Sequence, residues 1–343
     1  MIPSFCSRSR QPNRETWSLE RLCLEHAHAL GASLERSTAK AYASAFLSYA
    51  TFCEKHGFHI RPNPDTLSFY IVYMSHFIQP SSVKSYLSGI CAELEAFWPD
   101  VREIRKSYLV SKTLARCMKL YSSPPHRKRA LSQDDLAAII KSTAATASHD
   151  DLLFAAIAFT GWHCLMRLGE LVDADSIELR DYHKTITRRS VASANLPRPH
   201  VSFTLPMHKA DRFWEGSTVV LEQRVGSLNP LPIFNSYLNS RDDRFFLFPE
   251  LWLKADGRVP TRSWFINRLK ALFPDNNVAG HSLRSGGATA LALTGVPLER
   301  IQIIGHWSSK AFLIYIRQNP ILLQSSITGH SAFDAANTPS SSI

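Results

Sequence analysis

Tyr315 closes a row of side chains suited to gripping and attacking a phosphodiester. The row starts at His281-Ser282-Leu283-Arg284, passes through Gly305-His306-Trp307, and reaches Tyr315 nine residues after His306. No other tyrosine follows Gly280. A phenol oxygen can exchange one phosphate ester for another, provided cations and hydrogen-bond donors stabilise the five-coordinate transition state. Arg167 and Arg284 supply planar donor forks that stay charged at any working pH. His281 stands one helical turn before Arg284, so both can project from one helix face, where an imidazole can bond phosphate or take the phenol proton. Taken singly, each residue has an ordinary reading: Tyr315 as a core tyrosine beside Phe312 and Ile316, the histidines as satisfied side chains, Lys209 as a solvated charge. Two histidines without a cysteine or carboxylate set make a poor metal site, so no metal is expected. No glycine-rich nucleotide loop is present, and no cofactor is expected.

The elements that must carry these groups divide the chain into five parts. Residues 1–13 read as a loose tail, and 14–121 as a compact domain of four or five helices. Tyr42, Phe46, Tyr49 and Cys53 recur at helical spacing, as do Val83, Leu87, Ile90, Leu94, Phe97 and Trp98, with Ser81 or Ser82 available to cap. Residues 122–130, SSPPHRKRA, form a linker, because two prolines resist helix and strand. Arg127, Lys128 and Arg129 in it are either solvated or candidate contacts to nucleic-acid phosphates, and such a cluster can also serve as a nuclear import signal. Residues 131–326 form a second domain. There Ser132 caps a helix through Ala145, and Asp150 or Asp151 opens an apolar one ending near Cys164. Strands follow at Thr185–Ala192, Val201–Leu205 and Thr218–Leu221, then helices at Leu231–Asn239, Thr261–Phe273, Ser282–Leu293, Leu298–Ile304 and Ser309–Arg317. Residues 327–343 read as a flexible end. The fold class is mainly α with a small antiparallel sheet.

Composition narrows the partners. The chain has 343 residues and a formal net charge of +10. Lys and Arg number 18 against 10 Asp and Glu in residues 1–130, and 21 against 19 thereafter. A first part this basic fits a polyanion partner, since each neutralised phosphate releases counterions, and equally fits a merely soluble basic surface. The longest apolar run, Leu152–Trp162, is too short to span a bilayer. Six cysteines without paired spacing indicate neither zinc ribbon nor disulfide frame, and the first 21 residues lack a signal-peptide core, which places the chain in a reducing compartment.

With these motifs in order, residues 160–320 resemble the catalytic domain of the tyrosine recombinase and integrase family. Arg167-Leu168-Gly169-Glu170 is similar to the first arginine box, with its acidic residue three places on. Lys209 resembles the lysine at a β-hairpin tip, His281-Ser-Leu-Arg284 the His-x-x-Arg box, and Gly305-His306 with Tyr315 the final box with its nine-residue step. The run Arg284–Ala290 resembles recombinases of eukaryotic mobile elements such as Cryptons. Residues 14–121 resemble the helical core-binding domain in size, charge and helicity. Two departures stand out: five residues separate Thr160-Gly161 from Arg167, and Trp307 occupies a position where small polar residues are frequent.

The resemblance implies site-specific strand breakage and rejoining on double-stranded DNA through a 3′-phosphotyrosyl ester. It assigns Arg167, Lys209, His281, Arg284, His306 and Tyr315 to catalysis, with Lys209 protonating the departing 5′ hydroxyl and Glu170 orienting Arg167 or Lys209. It further implies a two-domain clamp on duplex DNA, a homotetramer when assembled there, a monomer or dimer when free, and a nuclear location in a eukaryote or the cytoplasm and nucleoid otherwise. The alternatives are a non-catalytic DNA-binding descendant and a relaxation activity of the type IB topoisomerase kind.

Overall fold

The computed structural model describes residues 14–31, 35–124, 127–207, 215–275, 277–307, 309 and 312–313. The chain divides into two compact units after Pro125. It is mainly helical, with one small antiparallel sheet.

The first unit contains α1 (Leu19–Gly31), α2 (Arg36–His56), α3 (Pro64–Ser75), α4 (Pro80–Leu94), α5 (Val101–Lys106) and α6 (Tyr108–Tyr121). The apolar stripe Ala45, Tyr49, Phe52 and Cys53 of α2 meets Val83, Leu87, Ile90 and Leu94 of α4, as the helical periodicity requires. Asn63 caps α3 by accepting from the Thr66 amide at 2.9 Å. Pro80 opens α4 at its first turn behind Gln79, so neither Ser81 nor Ser82 is the cap; proline needs no amide partner there. Phe97 is 73% exposed, because α4 ends at Leu94 and breaks the periodicity that would have buried it.

The second unit is built on α8 (His149–His163), which follows α7 (Gln133–Ala144). Ser132 and Ser148 cap these two helices through their hydroxyls. Residues 153–162 of α8 are buried on every side, which explains why its apolar residues show no helical stripe. Among the described residues, no helix is long and apolar enough to cross a membrane. After α9 (Leu168–Leu171) come β1 (Ala192–Ala194), β2 (His200–Leu205) and β3 (Ser217–Glu222), antiparallel in that order, with Leu205 paired to Ser217. Val201, Phe203, Leu205, Val219 and Leu221 are buried on the alternating face. Then come α10 (Pro230–Phe245), α11 (Arg262–Leu272), α12 (Gly280–Leu293) and α13 (Leu298–Ile304).

Residues 185–191 do not form the strand that their β-branched content predicts. Their backbone turns back on residues 249–251: the Arg188 amide donates to Pro249 O and the Leu251 amide to Ile186 O, each at 2.8 Å. Arg188 also clamps Asp242 of α10, Nη2 to Oδ2 at 2.7 Å. The linker is shorter than the sequence indicates as well. The Arg129 amide bonds Asn277 O at 2.8 Å and the Leu131 amide bonds Ser282 O at 2.9 Å, so these residues belong to the body of the second unit.

Candidate active site

Arg167 is positioned by the turn that ends α8. Cys164 closes the helix, and Leu165 then takes a left-handed backbone, φ 52°. That conformation costs a branched residue about 1–2 kcal/mol. Leu165 is nevertheless only 1% exposed, in a small core with Ala288 of α12, Ile301 of α13 and Phe312, and this burial holds the turn. The five residues after Thr160-Gly161 therefore form an ordered turn, and Arg167 becomes the N-cap residue just before α9. Glu170 fixes it twice: one carboxylate oxygen accepts from the Arg167 amide and the other from Nη1, both at 2.8 Å. Among the described residues, Glu170 is thus the partner of Arg167.

Helix α12 brings the second group. Its first turn is tied down by Ser282, whose hydroxyl accepts from the Ala279 amide at 2.9 Å. Gly287 lets α12 approach α8: a Cβ there would lie 1.9 Å from the Trp162 carbonyl oxygen. Arg284 is 2% exposed. It donates to the Gly305 carbonyl, and its guanidinium carbon lies 4.1 Å from the Trp307 ring centroid. Trp307 folds over Gly305 so closely that a Cβ on Gly305 would fall 1.8 Å from the ring. The tryptophan therefore packs, as its bulk suggests, and its ring also meets Phe312 at 5.3 Å between ring centroids.

His281 stands at the surface end of α12. Partial burial, then the positive charges of Arg262, Arg284 and Arg167, hold its imidazolium below the usual histidine range. Three guanidinium groups from α9, α11 and α12 thus act on one imidazole. In its neutral form the imidazole can accept a proton, and a bound phosphate anion would offset the surrounding positive charge.

Several sequence-derived site residues stand elsewhere. His306 follows Gly305 with φ 49°, and it lines a cavity of about 300 Å³ with His163, Cys164, Val220 and Arg224. Lys209 and Tyr315 fall outside the described residues, as do both terminal tails and most of the helix expected at Ser309–Arg317. The pairing of Leu205 with Ser217 frames the β2–β3 connection that carries Lys209. Arg129, grouped by sequence with the DNA contacts, is engaged internally: it makes two bonds to Asp135, one at 3.0 Å from Nη2, and one to Asp275 at 3.4 Å. Its fork matches those carboxylates, which a linear reading of a basic run does not reveal. Arg127 and Lys128 are exposed. Among the described residues, no group of His, Cys, Asp and Glu is disposed to hold a metal ion.

Arg262 is the residue that sequence reasoning passed over. Its signal was a cation in the first turn of a helix, where the helix dipole disfavours positive charge.

The described architecture matches XerH site-specific recombinase, solved bound to its palindromic difH substrate after cleavage. The TM-score is 0.59 at 14% identity, over 90% of this chain and 83% of that one. Lambda integrase (75–356), solved as a dimer on a COC′ core site, matches at 0.55 and 13% identity, over 86% and 94% of the two chains. The chain has the tyrosine recombinase fold. No protein-family model matches the sequence, and no curated protein matches it. The likeness to Cryptons finds no support in these comparisons. Within the recombinase fold, Arg167 and Arg284 come from helices more than 100 residues apart in sequence and act on the same histidine.

Proposed function

We propose that the protein is a site-specific DNA recombinase or integrase that breaks and rejoins strands through a phosphotyrosyl ester on Tyr315. The observation that carries this reading is the packing of the start of α9 on the start of α12: Leu168, next to Arg167, lies 2.9 Å from a Cβ placed on Gly280, next to His281 and one turn before Arg284. Two arginine forks can hold both non-bridging oxygens of a phosphodiester and offset the charge that grows at the five-coordinate stage. Each such donor contributes about 10²–10³ in rate. In the proposed sequence, the Tyr315 oxygen attacks phosphorus while its proton passes to a base, for which neutral His281 is suited. The new tyrosyl–phosphate bond replaces the bond to the 5′ oxygen, which leaves with a proton from Lys209. The strand is then held as a 3′-phosphotyrosyl ester, and a 5′ hydroxyl reverses the step to rejoin it. One ester replaces another, so the exchange needs no nucleotide energy source.

Chain connectivity supports Tyr315 as nucleophile. Phe312 is buried beside Trp307, which lies over Arg284. A three-residue tether from Phe312 reaches at most about 11 Å. Glu170 is the positioning residue for Arg167, and DNA the partner; assembly into a tetramer on two duplexes belongs to the same proposal.

The test uses a duplex selected from a random pool by the full-length protein. The wild type should form a covalent DNA–protein adduct stable to denaturation. Tyr315→Phe should bind the duplex and form none. Adducts that persist in Tyr315→Phe overturn the nucleophile, and a wild type that binds without ever forming adducts overturns the reaction. Strand exchange between two such duplexes separates recombination from relaxation alone.

A further inference from the structure

We propose that Arg262 is a third phosphate-gripping residue, which holds a backbone phosphate beside the one gripped by Arg167 and Arg284. The inference rests on the DNA-cleavage reading and adds a contact to it. Arg262 begins α11, and its backbone is fixed to the segment that follows α9: its amide donates to Asp173 O at 2.9 Å. Its Nη1 lies 3.5 Å from the point where a Cβ on Gly280 would sit, and Leu168 Cδ2 lies 2.9 Å from that same point. The guanidinium of Arg262, the first residue of α9 and the first residue of α12 therefore meet at one place. Arg167 immediately precedes Leu168, and His281 immediately follows Gly280. Arg262 also lines a cavity of about 250 Å³ with Glu170, Asp173, Arg180 and Trp252.

A structural role explains this arrangement poorly. Of the nearby carboxylates, Asp175 accepts from the Ser263 amide at 2.9 Å and feels the Arg262 charge without bonding to it, and Asp173 faces Arg180 at 3.8 Å. Among the described residues, the Arg262 guanidinium forms no hydrogen bond or ion pair, and the residue is exposed. The α11 amides are not the anion site, since Asp175 and Thr261 already accept from Ser263 and Trp264. An exposed cation at the start of α12, which shares the field at His281 with Arg167 and Arg284 and is offset there by Asp175, gains further when an anion arrives. Arg284 is buried while Arg262 lies at the surface, so Arg262 suits the neighbouring phosphate rather than the one at the bottom of the site.

Salt dependence reads this contact directly. Binding of a short random-sequence duplex to the full chain is measured by fluorescence anisotropy between 50 and 200 mM NaCl. Loss of one phosphate contact lowers the slope of log K against log salt by about 0.9, so the affinity lost across that range shrinks by about 3.5-fold. Arg262→Gln should show this change. Arg262→Lys should retain the wild-type slope, because lysine keeps the charge that displaces a counterion. Arg258→Gln is the control, since that arginine is exposed and paired with Asp256. An unchanged slope in Arg262→Gln overturns the inference, as does a lysine variant equally defective or an equal loss in Arg258→Gln. Tyr315-dependent adducts with an unchanged Arg262→Gln slope would sink this inference alone. Absent adducts with a reduced slope would sink the cleavage reading and leave the phosphate contact standing.

Discussion

Replacing Gly287 with alanine adds one methyl group where α12 crosses α8, and the structure sets the size of the penalty. The new Cβ would lie 1.9 Å from the Trp162 carbonyl oxygen and 2.6 Å from Leu165 Cδ2. Ordinary contact begins at 3.4 Å, so a displacement of about 1.5 Å is needed, and the nearest atom is backbone that cannot rotate away. Overpacking of this kind costs about 3 kcal/mol, offset by roughly 1 kcal/mol from alanine's helix preference. The net loss of about 2 kcal/mol, divided by an m-value of about 2 kcal/mol/M, lowers the urea midpoint of the second unit by about 1 M. Because α12 carries His281 and Arg284, a shift near 1 Å should also slow single-turnover adduct formation by about 10². Gly169→Ala is the matched control: nothing lies within 4 Å of its Cβ, so it should stabilise by about 0.5–1 kcal/mol. A Gly287→Ala protein that unfolds at or above the Gly169→Ala midpoint would refute the close-approach argument.

Glu170→Gln removes the charge that anchors Nη1 of Arg167 while keeping the side-chain shape; adduct formation should slow about tenfold to a hundredfold, and a rate within twofold of wild type would show that Arg167 needs no such anchor. Acidification should destabilise the second unit through His163, whose Nε2 is buried without a partner and whose pKa is pushed down to about 4 by burial and then by Arg224. The folded value lies below the unfolded one, so the unfolded chain takes up the proton first. The contribution is full above about pH 6.5 and is lost progressively as pH falls toward 4, by about 2 kcal/mol at pH 5. Urea midpoints at pH 7.5 and 5 test this, and a His163→Phe variant with an undiminished pH response would overturn it.

The helix capped by Ser132, and α13 at Leu298–Ile304, were legible because cap chemistry and periodicity are local. Residues 185–191 misled because β-branched residues fit any extended pairing, and here the partner is residues 249–251, held by Arg188 on Asp242. The pairing of Arg167 with Glu170 was legible, since that spacing lets a carboxylate reach back to the start of its own helix. Arg129 and Arg262 were not. The Arg129 fork closes on Asp135 and on the distant Asp275, and Arg262 reaches the start of α12 at Gly280, and a linear run of residues reveals neither.

Residue order alone determined the chemical vocabulary of this protein: which guanidinium, imidazole and phenol groups exist, and on which local elements they ride. Tertiary structure decided their company. A left-handed Leu165, a glycine that admits Trp162, and a tryptophan stacked on Arg284 are long-range packing facts, and they set which charges meet. The reason is range: caps and periodicity act within a few residues along the chain, whereas electrostatic fields and close packing depend on distance through space.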